Sequence, residues 1–239
     1  MVNILDDSSK KASKNDILKG RKVIDSILSD DIKLLKKRSH LLKRFEEFGT
    51  IYQTWSLFEP FQNYVNSSMF GTLQIPTEYV DFLMHCIEKK PSTFCEVGCH
   101  VGGFAIFTSA VLSRFNDKFQ YTVIDIEDIF ADWDHYKNIL PIDKRIPSTA
   151  QHHAQENFDI VFIDADHSYD GLKRDFLSLG RHAKILCGFH DINGTEYDHL
   201  DGGTRRAWND LKVSYREKAK ILEIAHMKEE WMGIGVIEF

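Results

Sequence analysis

Long apolar segments are missing from this sequence. No stretch reaches the roughly 18 consecutive apolar residues that read as a membrane-spanning helix. Residues 1–14 are polar and charged, and they lack the apolar centre of a signal peptide. These absences predict a cytoplasmic protein with no membrane partner.

Positive charge is not in excess either. Lys and Arg number 30 against 36 Asp and Glu, which gives a formal net charge of -6. A protein that binds nucleic acid through phosphate contacts usually carries a basic surface. The charge balance therefore predicts no nucleic-acid partner.

Paired cysteines are absent as well. The four cysteines are Cys86, Cys95, Cys99 and Cys187, with no CxxC pair among them, and three lie in apolar segments. Free thiols in such segments behave as small apolar groups. We therefore expect buried free thiols.

The 239 residues, 43% of them hydrophobic, suit one domain with an extension. Residues 1–14 are predicted to be disordered. Residues 15–73 are predicted to form a helical extension, because apolar residues recur at helical spacing over 15–48. Aromatic residues crowd 51–71, where they would pack in the core or line a substrate pocket. The extension would pack on its own domain, cover a substrate as a lid, or join copies into a homo-oligomer.

Residues 74–239 alternate between apolar strands and amphipathic helices, which predicts an α/β fold with a parallel sheet covered on both faces. The predicted strands are 93–97, 121–126, 159–163, 184–189, 220–225 and 233–239. The predicted helices are 78–89, 103–114, 169–179 and 204–216. The last two strands have no long crossover between them, which indicates an antiparallel edge. No strand stands out between Asp132 and Glu156.

A glycine-rich turn, Glu-Val-Gly-Cys-His-Val-Gly-Gly at 96–103, follows the first strand and opens a helix. Such turns let a ligand approach the backbone closely. A dinucleotide site favours G-x-G-x-x-G, but His100 occupies the middle glycine position. Glu96 would repel a pyrophosphate and would suit an ammonium or sulfonium group. Asp125 ends the next strand, where a carboxylate can accept hydrogen bonds from both ribose hydroxyls.

A second polar group follows two later strands. Asp164 and His167 come after the strand 159–163, and His190 and Asp191 come after the next one. Ligands of open α/β sheets bind at the carboxyl ends of strands. Oxygen ligands with one imidazole suit Mg²⁺ or a similar divalent cation. If the two strands are neighbours, these side chains would converge.

The pattern E-x-G-x-x-x-G-G, followed by a strand that ends in Asp, resembles the class I S-adenosylmethionine-dependent methyltransferases over residues 74–239. The resemblance implies a doubly wound, mostly parallel, seven-stranded Rossmann-like sheet. It also implies that the methionine part of S-adenosylmethionine would be lined by Glu96, Gly98, His100, Gly102 and Gly103. Asp125 would bind the ribose and Ile126 would pack on the adenine.

The pattern D-x-D-H-S-Y followed by H-D resembles methyltransferase family 24, with its macrocin-type O-methyltransferases and cephalosporin-hydroxylase-like proteins. The resemblance implies a divalent cation, Mg²⁺ here, held by Asp164, His190 and Asp191, with His167 as general base. The acceptor would be a small hydroxylated molecule such as a sugar or catechol-like diol. This sequence departs from the family at His190, where Glu or Asp is usual. A Pro-Gly-Gly turn before the fifth strand is replaced by Arg-His-Ala at 181–183.

Other functions stay open. One is a catalytically inactive scaffold that keeps the fold and the cofactor, and another is a nicotinamide-dependent oxidoreductase. A nucleic-acid methyltransferase is disfavoured by the acidic balance and by the lack of an Asn/Asp-Pro-Pro-Tyr motif for a flipped base.

Overall fold

The computed structural model describes residues 11–51, 65–227 and 231–239. Most of the predicted disordered tail and residues 52–64 of the aromatic-rich stretch lie outside the described residues. The helices are α1 (Lys14–Ser29), α2 (Ile32–Leu35), α3 (Arg38–Phe48), α4 (Pro76–Lys89), α5 (Gly103–Leu112), α6 (Trp133–Tyr136), α7 (Tyr169–Ser178) and α8 (Gly203–Tyr215). The strands are β1 (Thr93–Val97), β2 (Gln120–Ile124), β3 (Ile142–Arg145), β4 (Ile160–Ile163), β5 (Leu186–Phe189), β6 (Lys220–Ile224) and β7 (Ile234–Glu238).

Helical residues 14–48 form three helices where the apolar spacing predicted one continuous segment. The first break falls at Asp30 and Asp31. The Asp31 carboxylate accepts a hydrogen bond from the amide of Lys33 at 2.8 Å and so begins α2. An Asp at this position satisfies a backbone donor that the helix leaves free, which favours a new helix start over continuation. Apolar periodicity continued across this break and did not reveal it.

The seven strands form one sheet in the order β3-β2-β1-β4-β5-β7-β6. The first five strands are parallel, and β7 is antiparallel to both β5 and β6. This confirms the predicted doubly wound fold with an antiparallel edge. The strand order reverses between β1 and β4, and the carboxyl ends of strands at such a switch point form a natural ligand crevice.

The strand that the sequence did not reveal is β3. It pairs in parallel with β2, with Tyr121 opposite Ile142. Only Ile142 of its four residues is buried, and Asp, Lys and Arg follow it. An edge strand of this composition carries no apolar run or alternation, so residue pattern alone could not identify it.

Helices cover both faces of the sheet. One apolar cluster joins α1, α3, α4 and α5 to the sheet, with Phe104 stacked on Phe162 at 4.5 Å between ring centroids. A second cluster places α7 and α8 on the opposite face. The four cysteines are free and buried, as predicted. In the described part of the chain, no helix has the length and apolar character needed to cross a membrane.

Candidate active site

A cavity of about 860 Å³ opens at the carboxyl ends of the central strands. Six of the seven residues predicted to bind the cofactor line it, namely Glu96, Gly98, His100, Gly103, Asp125 and Ile126. The seventh, Gly102, begins α5 with φ +81°, and a Cβ there would lie 2.5 Å from the Phe130 ring. Asp164 and His167 line the same cavity, so the two predicted groups share one space.

The turn after β1 contains two residues, Gly98 and His100, with positive φ angles. Gly98 has φ +86°, and a Cβ there would lie 2.1 Å from the carbonyl oxygen of Asp164. His100 has φ 47°, so it adopts the left-handed conformation for which glycine is the usual residue. One oxygen of Asp125 accepts hydrogen bonds from the amides of Cys99 at 2.8 Å and His100 at 3.0 Å. Asp125 therefore holds the turn, a role that the sequence did not predict.

Glu96 lies at the base of this cavity and is only 1% exposed. Its carboxyl group accepts a hydrogen bond from the Tyr121 hydroxyl at 3.0 Å. Burial raises the pKa of Glu96 well above its usual range, and the Tyr121 hydrogen bond offsets only part of that rise. A positive group on a ligand would supply a counter-charge, because the ionisable neighbours of this carboxyl are the Tyr121 phenol and the carboxylates of Asp125 and Asp164.

Beside the cavity, the structure brings His190 and Asp191 together with Asp164, which lines it. The His190 Nδ1 atom lies 3.4 Å from an oxygen of each carboxylate. One potential ligand atom from each side chain falls within 4.8 Å of the others. The backbone of Asp191 is left-handed, with φ 56°, and Thr204 donates a hydrogen bond to its carbonyl at 2.7 Å. Adjacent parallel strands β4 and β5 thus produce the convergence that their neighbouring positions predicted.

His167 completes this cluster. Its Nε2 atom lies 3.3 Å from Asp164 Oδ1 and 3.1 Å from Asp191 Oδ2. Burial alone would lower the pKa of His167, but the two carboxylates raise it to about 10. The same carboxylates raise the pKa of the buried His190. Burial would raise the pKa of Asp164 and of Asp191, yet the imidazoles lower it, to about 2 for Asp164. The raised pKa of both imidazoles favours their protonated forms beside the two carboxylates.

Two neighbours of this cluster escaped the sequence analysis. Tyr197 stacks on His167 with ring centroids 4.2 Å apart and planes 12° apart. Gln74 donates a hydrogen bond from Nε2 to Asp164 Oδ2 at 3.2 Å. Neither residue lies in a motif. Sequence pattern alone does not indicate that Tyr197 packs on His167.

Comparisons with known proteins find methyltransferases. Residues 95–192 match the family Methyltransf_24, described as a methyltransferase domain. The fold resembles the O-methyltransferase from Bacillus cereus in complex with SAH, at a TM-score of 0.52 and 15% identity, over 69% of this chain and 82% of that one. It also resembles the SAH-bound methyltransferase of Podospora anserina, at a TM-score of 0.52 and 14% identity, over 83% and 87% of the two chains. No curated protein matches the chain.

At these identities the two solved structures establish the fold. The family match, to a methyltransferase domain, spans the positions of the glycine turn, Asp125 and the charged cluster.

Proposed function

We propose that the protein transfers the methyl group of S-adenosylmethionine to a hydroxyl oxygen of a small acceptor, such as a sugar or catechol-like diol, with the help of a divalent cation. The observation that carries the proposal is the position of the charged cluster. Asp164 and His167 face the cofactor cavity, and His190 and Asp191 lie in contact with them. The reacting methyl group and the acceptor oxygen would meet there.

Three residues that line the cavity support the choice of cofactor. Glu96 offers a buried carboxyl group to the cofactor's ammonium group. Asp125 lines the cavity at the end of β2, where it would accept from the ribose hydroxyls. Ile126 is 74% exposed and lines the cavity, so it would cover the adenine ring. The SAH bound in the Bacillus cereus and Podospora anserina structures supports this choice of cofactor.

The donor set of the cluster fits a divalent cation. Asp164, His190 and Asp191 offer two carboxylate oxygens and one imidazole nitrogen, which Mg²⁺ and its first-row relatives accept. Three protein ligands leave positions for an acceptor with two neighbouring oxygens. A bound cation would lower the pKa of a coordinated hydroxyl. The His190 Nε2 atom is buried without a hydrogen-bond partner among residues 11–51, 65–227 and 231–239, so its ring lacks the usual second anchor.

His167 is our proposed general base. In the metal-free cluster its raised pKa keeps the imidazole protonated at neutral pH. The cause of that pKa is the charge of the two carboxylates. Neutralising them with a cation removes the cause, and His167 Nε2 would then accept the hydroxyl proton of the acceptor.

Calorimetric titration of S-adenosylhomocysteine in Mg²⁺ and then in EDTA tests the proposal first. We expect micromolar binding in both conditions, because the metal ligands are separate from Glu96 and Asp125. A separate Mg²⁺ titration should give heat that is lost in Asp164→Ala. Methyl transfer to a panel of diols then separates the enzyme from an inactive scaffold, which would bind the cofactor and methylate none of them. No binding of S-adenosylhomocysteine would overturn the cofactor assignment.

A further inference from the structure

Residues 65–74, which we name the strap, lie between the N-terminal helices and the catalytic cavity. The strap pairs with the chain after α3: Thr72 donates to the Gly49 carbonyl at 3.1 Å and accepts from the amide of Ile51 at 3.0 Å. Its last four residues, Gly71, Thr72, Leu73 and Gln74, line the cofactor cavity. Part of the cavity wall therefore precedes the domain that the family model matches.

Helix α1 anchors the other end of the strap through a buried carboxylate. Asp16 is 7% exposed, and one of its oxygens accepts hydrogen bonds from Ser67 Oγ at 2.8 Å and Ser68 Oγ at 2.7 Å. One turn further along α1, Lys19 donates to the side chain of Asn66 at 2.9 Å. Hydrogen bonds to a charged acceptor are the stronger kind, so these contacts hold the strap against α1.

Close backbone packing leaves the strap little freedom. A Cβ on Gly20 of α1 would lie 2.3 Å from the Phe70 ring. The ring therefore packs directly on the helix backbone at a position that only glycine allows. A Cβ on Gly103 would lie 1.7 Å from the Gly71 carbonyl oxygen. Gly103 belongs to the glycine turn that faces the cofactor. The strap thus contacts both α1 and the glycine turn. A shift of the strap on α1 would therefore also change its packing on the turn.

The strap ends on the charged cluster through Gln74. This side chain is 3% exposed. Its Oε1 accepts from the amide of Leu73 at 3.2 Å, and its Nε2 donates to Asp164 Oδ2 at 3.2 Å. That bond occupies the Asp164 oxygen that faces away from the imidazoles and leaves Oδ1 for His167 and His190.

We propose that the strap is a structural wall of the cofactor site held in place by α1, and that Gln74 is a positioning residue that sets the orientation of Asp164 toward His167. The role of Gln74 in methyl transfer rests on the proposed function. The contacts themselves require neither an acceptor nor a metal. The N-terminal extension then completes the site of its own chain.

The anchoring step is tested by binding of S-adenosylhomocysteine to Asp16→Asn, with Asp25→Asn as the matched control. Asp25 is an exposed carboxylate on the same helix. Loss of the Asp16 charge should leave the strap seated in a minority of molecules, which weakens binding by about tenfold. Hydrogen exchange should rise across residues 65–74 and stay unchanged in β4. The control should behave as wild type.

Affinity within about twofold of wild type, in a variant whose strap exchanges faster, would overturn the role of the strap as a wall of the cofactor site. Unchanged exchange across residues 65–74 would overturn the anchoring by Asp16. If Asp16→Asn unfolds, Ser68→Ala can replace it, because it removes one of the hydrogen-bond donors to Asp16. We then expect a smaller loss of affinity for S-adenosylhomocysteine. Failure of wild type to bind S-adenosylhomocysteine is a different result, since it removes the cofactor site that the strap is proposed to wall.

The positioning step is tested without substrate by the ¹⁵N signals of the His167 ring in Gln74→Met. Methionine keeps the length of the side chain and removes the donor, so Asp164 gains freedom to rotate and the His167 signals should shift. Gln120→Met is the control, because it makes the same change at an exposed position at the start of β2. Unshifted His167 signals in Gln74→Met would overturn the role of Gln74. This readout is independent of whether any diol is methylated.

Discussion

The candidate active site contains two groups of carboxyl side chains whose pKa values shift in opposite directions. We call the surroundings of Glu96 the cofactor end, and the surroundings of Asp164 and Asp191 the cluster end. At the cofactor end, Glu96 has a neutral phenol as its hydrogen-bond partner, and burial raises its pKa. At the cluster end, Asp164 and Asp191 face two imidazoles, which lower their pKa although burial would raise it. Opposite charge therefore outweighs desolvation at the cluster end, whereas at the cofactor end the neighbouring carboxylates of Asp125 and Asp164 add to the rise.

This difference indicates what each end is prepared to bind. The Glu96 end gains from any cation that enters, since the groups that act on its carboxyl are a phenol and two carboxylates. At the cluster end the imidazoles already oppose the carboxylates, so a divalent cation would have to compete with protons on the imidazoles. Cofactor binding and metal binding should therefore respond differently to the same kind of substitution.

The largest effect should follow Asp191→Ala, which breaks the balance at the cluster end. One carboxylate would remain for the buried His190 and the partly exposed His167, and the free energy of unfolding should fall by about 3 kcal/mol. Methyl transfer should fall by about 100-fold or more, because a proposed metal ligand is lost. Urea unfolding and a transfer assay measure the two effects. Asp117→Ala, at an exposed position, is the control, and equal stability of the two variants would contradict the charge-balance argument.

A comparable loss of rate should follow His167→Gln. Removing the proposed base should slow methyl transfer by about 100-fold or more. S-Adenosylhomocysteine should bind as before, because His167 contacts the carboxylates of the cluster and not the glycine turn. A variant with a wild-type rate would show that another group removes the proton.

At the cofactor end, Glu96→Gln should weaken binding of S-adenosylhomocysteine by about 30-fold, since truncating one member of a buried charge pair costs at least 2 kcal/mol. Glu88→Gln, exposed on α4, is the control for the same calorimetric titration. Binding equal to wild type would mean that the cofactor's ammonium group lies elsewhere.

The same substitution should stabilise the ligand-free protein at alkaline pH. The folded-state pKa of Glu96 is raised above its ordinary value of 4.5, so the folded state holds a proton that the unfolded state releases. Wild-type stability should therefore decline as pH rises from about 4.5 to the raised pKa, and it should recover as pH falls. Glu96→Gln should lack this decline in melting curves recorded from pH 5 to pH 9. Parallel curves for the two proteins would refute the assignment.

The smallest effect should follow Tyr197→Ala. Its ring stacks on His167, and a contact of this kind is worth about 1 kcal/mol, which corresponds to about fivefold in rate. Tyr197→Phe keeps the ring and should retain the wild-type rate in the same assay. If the phenylalanine variant is as slow as the alanine variant, the hydroxyl group and not the stacking is what matters.

The sequence by itself determined the alternation of strands and helices, the glycine turn after β1 and the polar residues at the carboxyl ends of β4 and β5. These features are local, because a strand, a turn and a helix start each depend on a few consecutive residues. Once the strands are parallel neighbours, Asp164, His190 and Asp191 have to meet at one edge of the sheet.

Only the tertiary structure decided the rest. Edge strand β3 exists because β2 offers it a pairing partner, and Gln74 reaches Asp164 across 90 positions of the chain. The opposite pKa directions of Glu96 and Asp164 likewise depend on which groups the fold places beside them. Two carboxyl groups of similar chemistry thus receive different properties, because burial and charge are set by neighbours in space rather than neighbours in sequence.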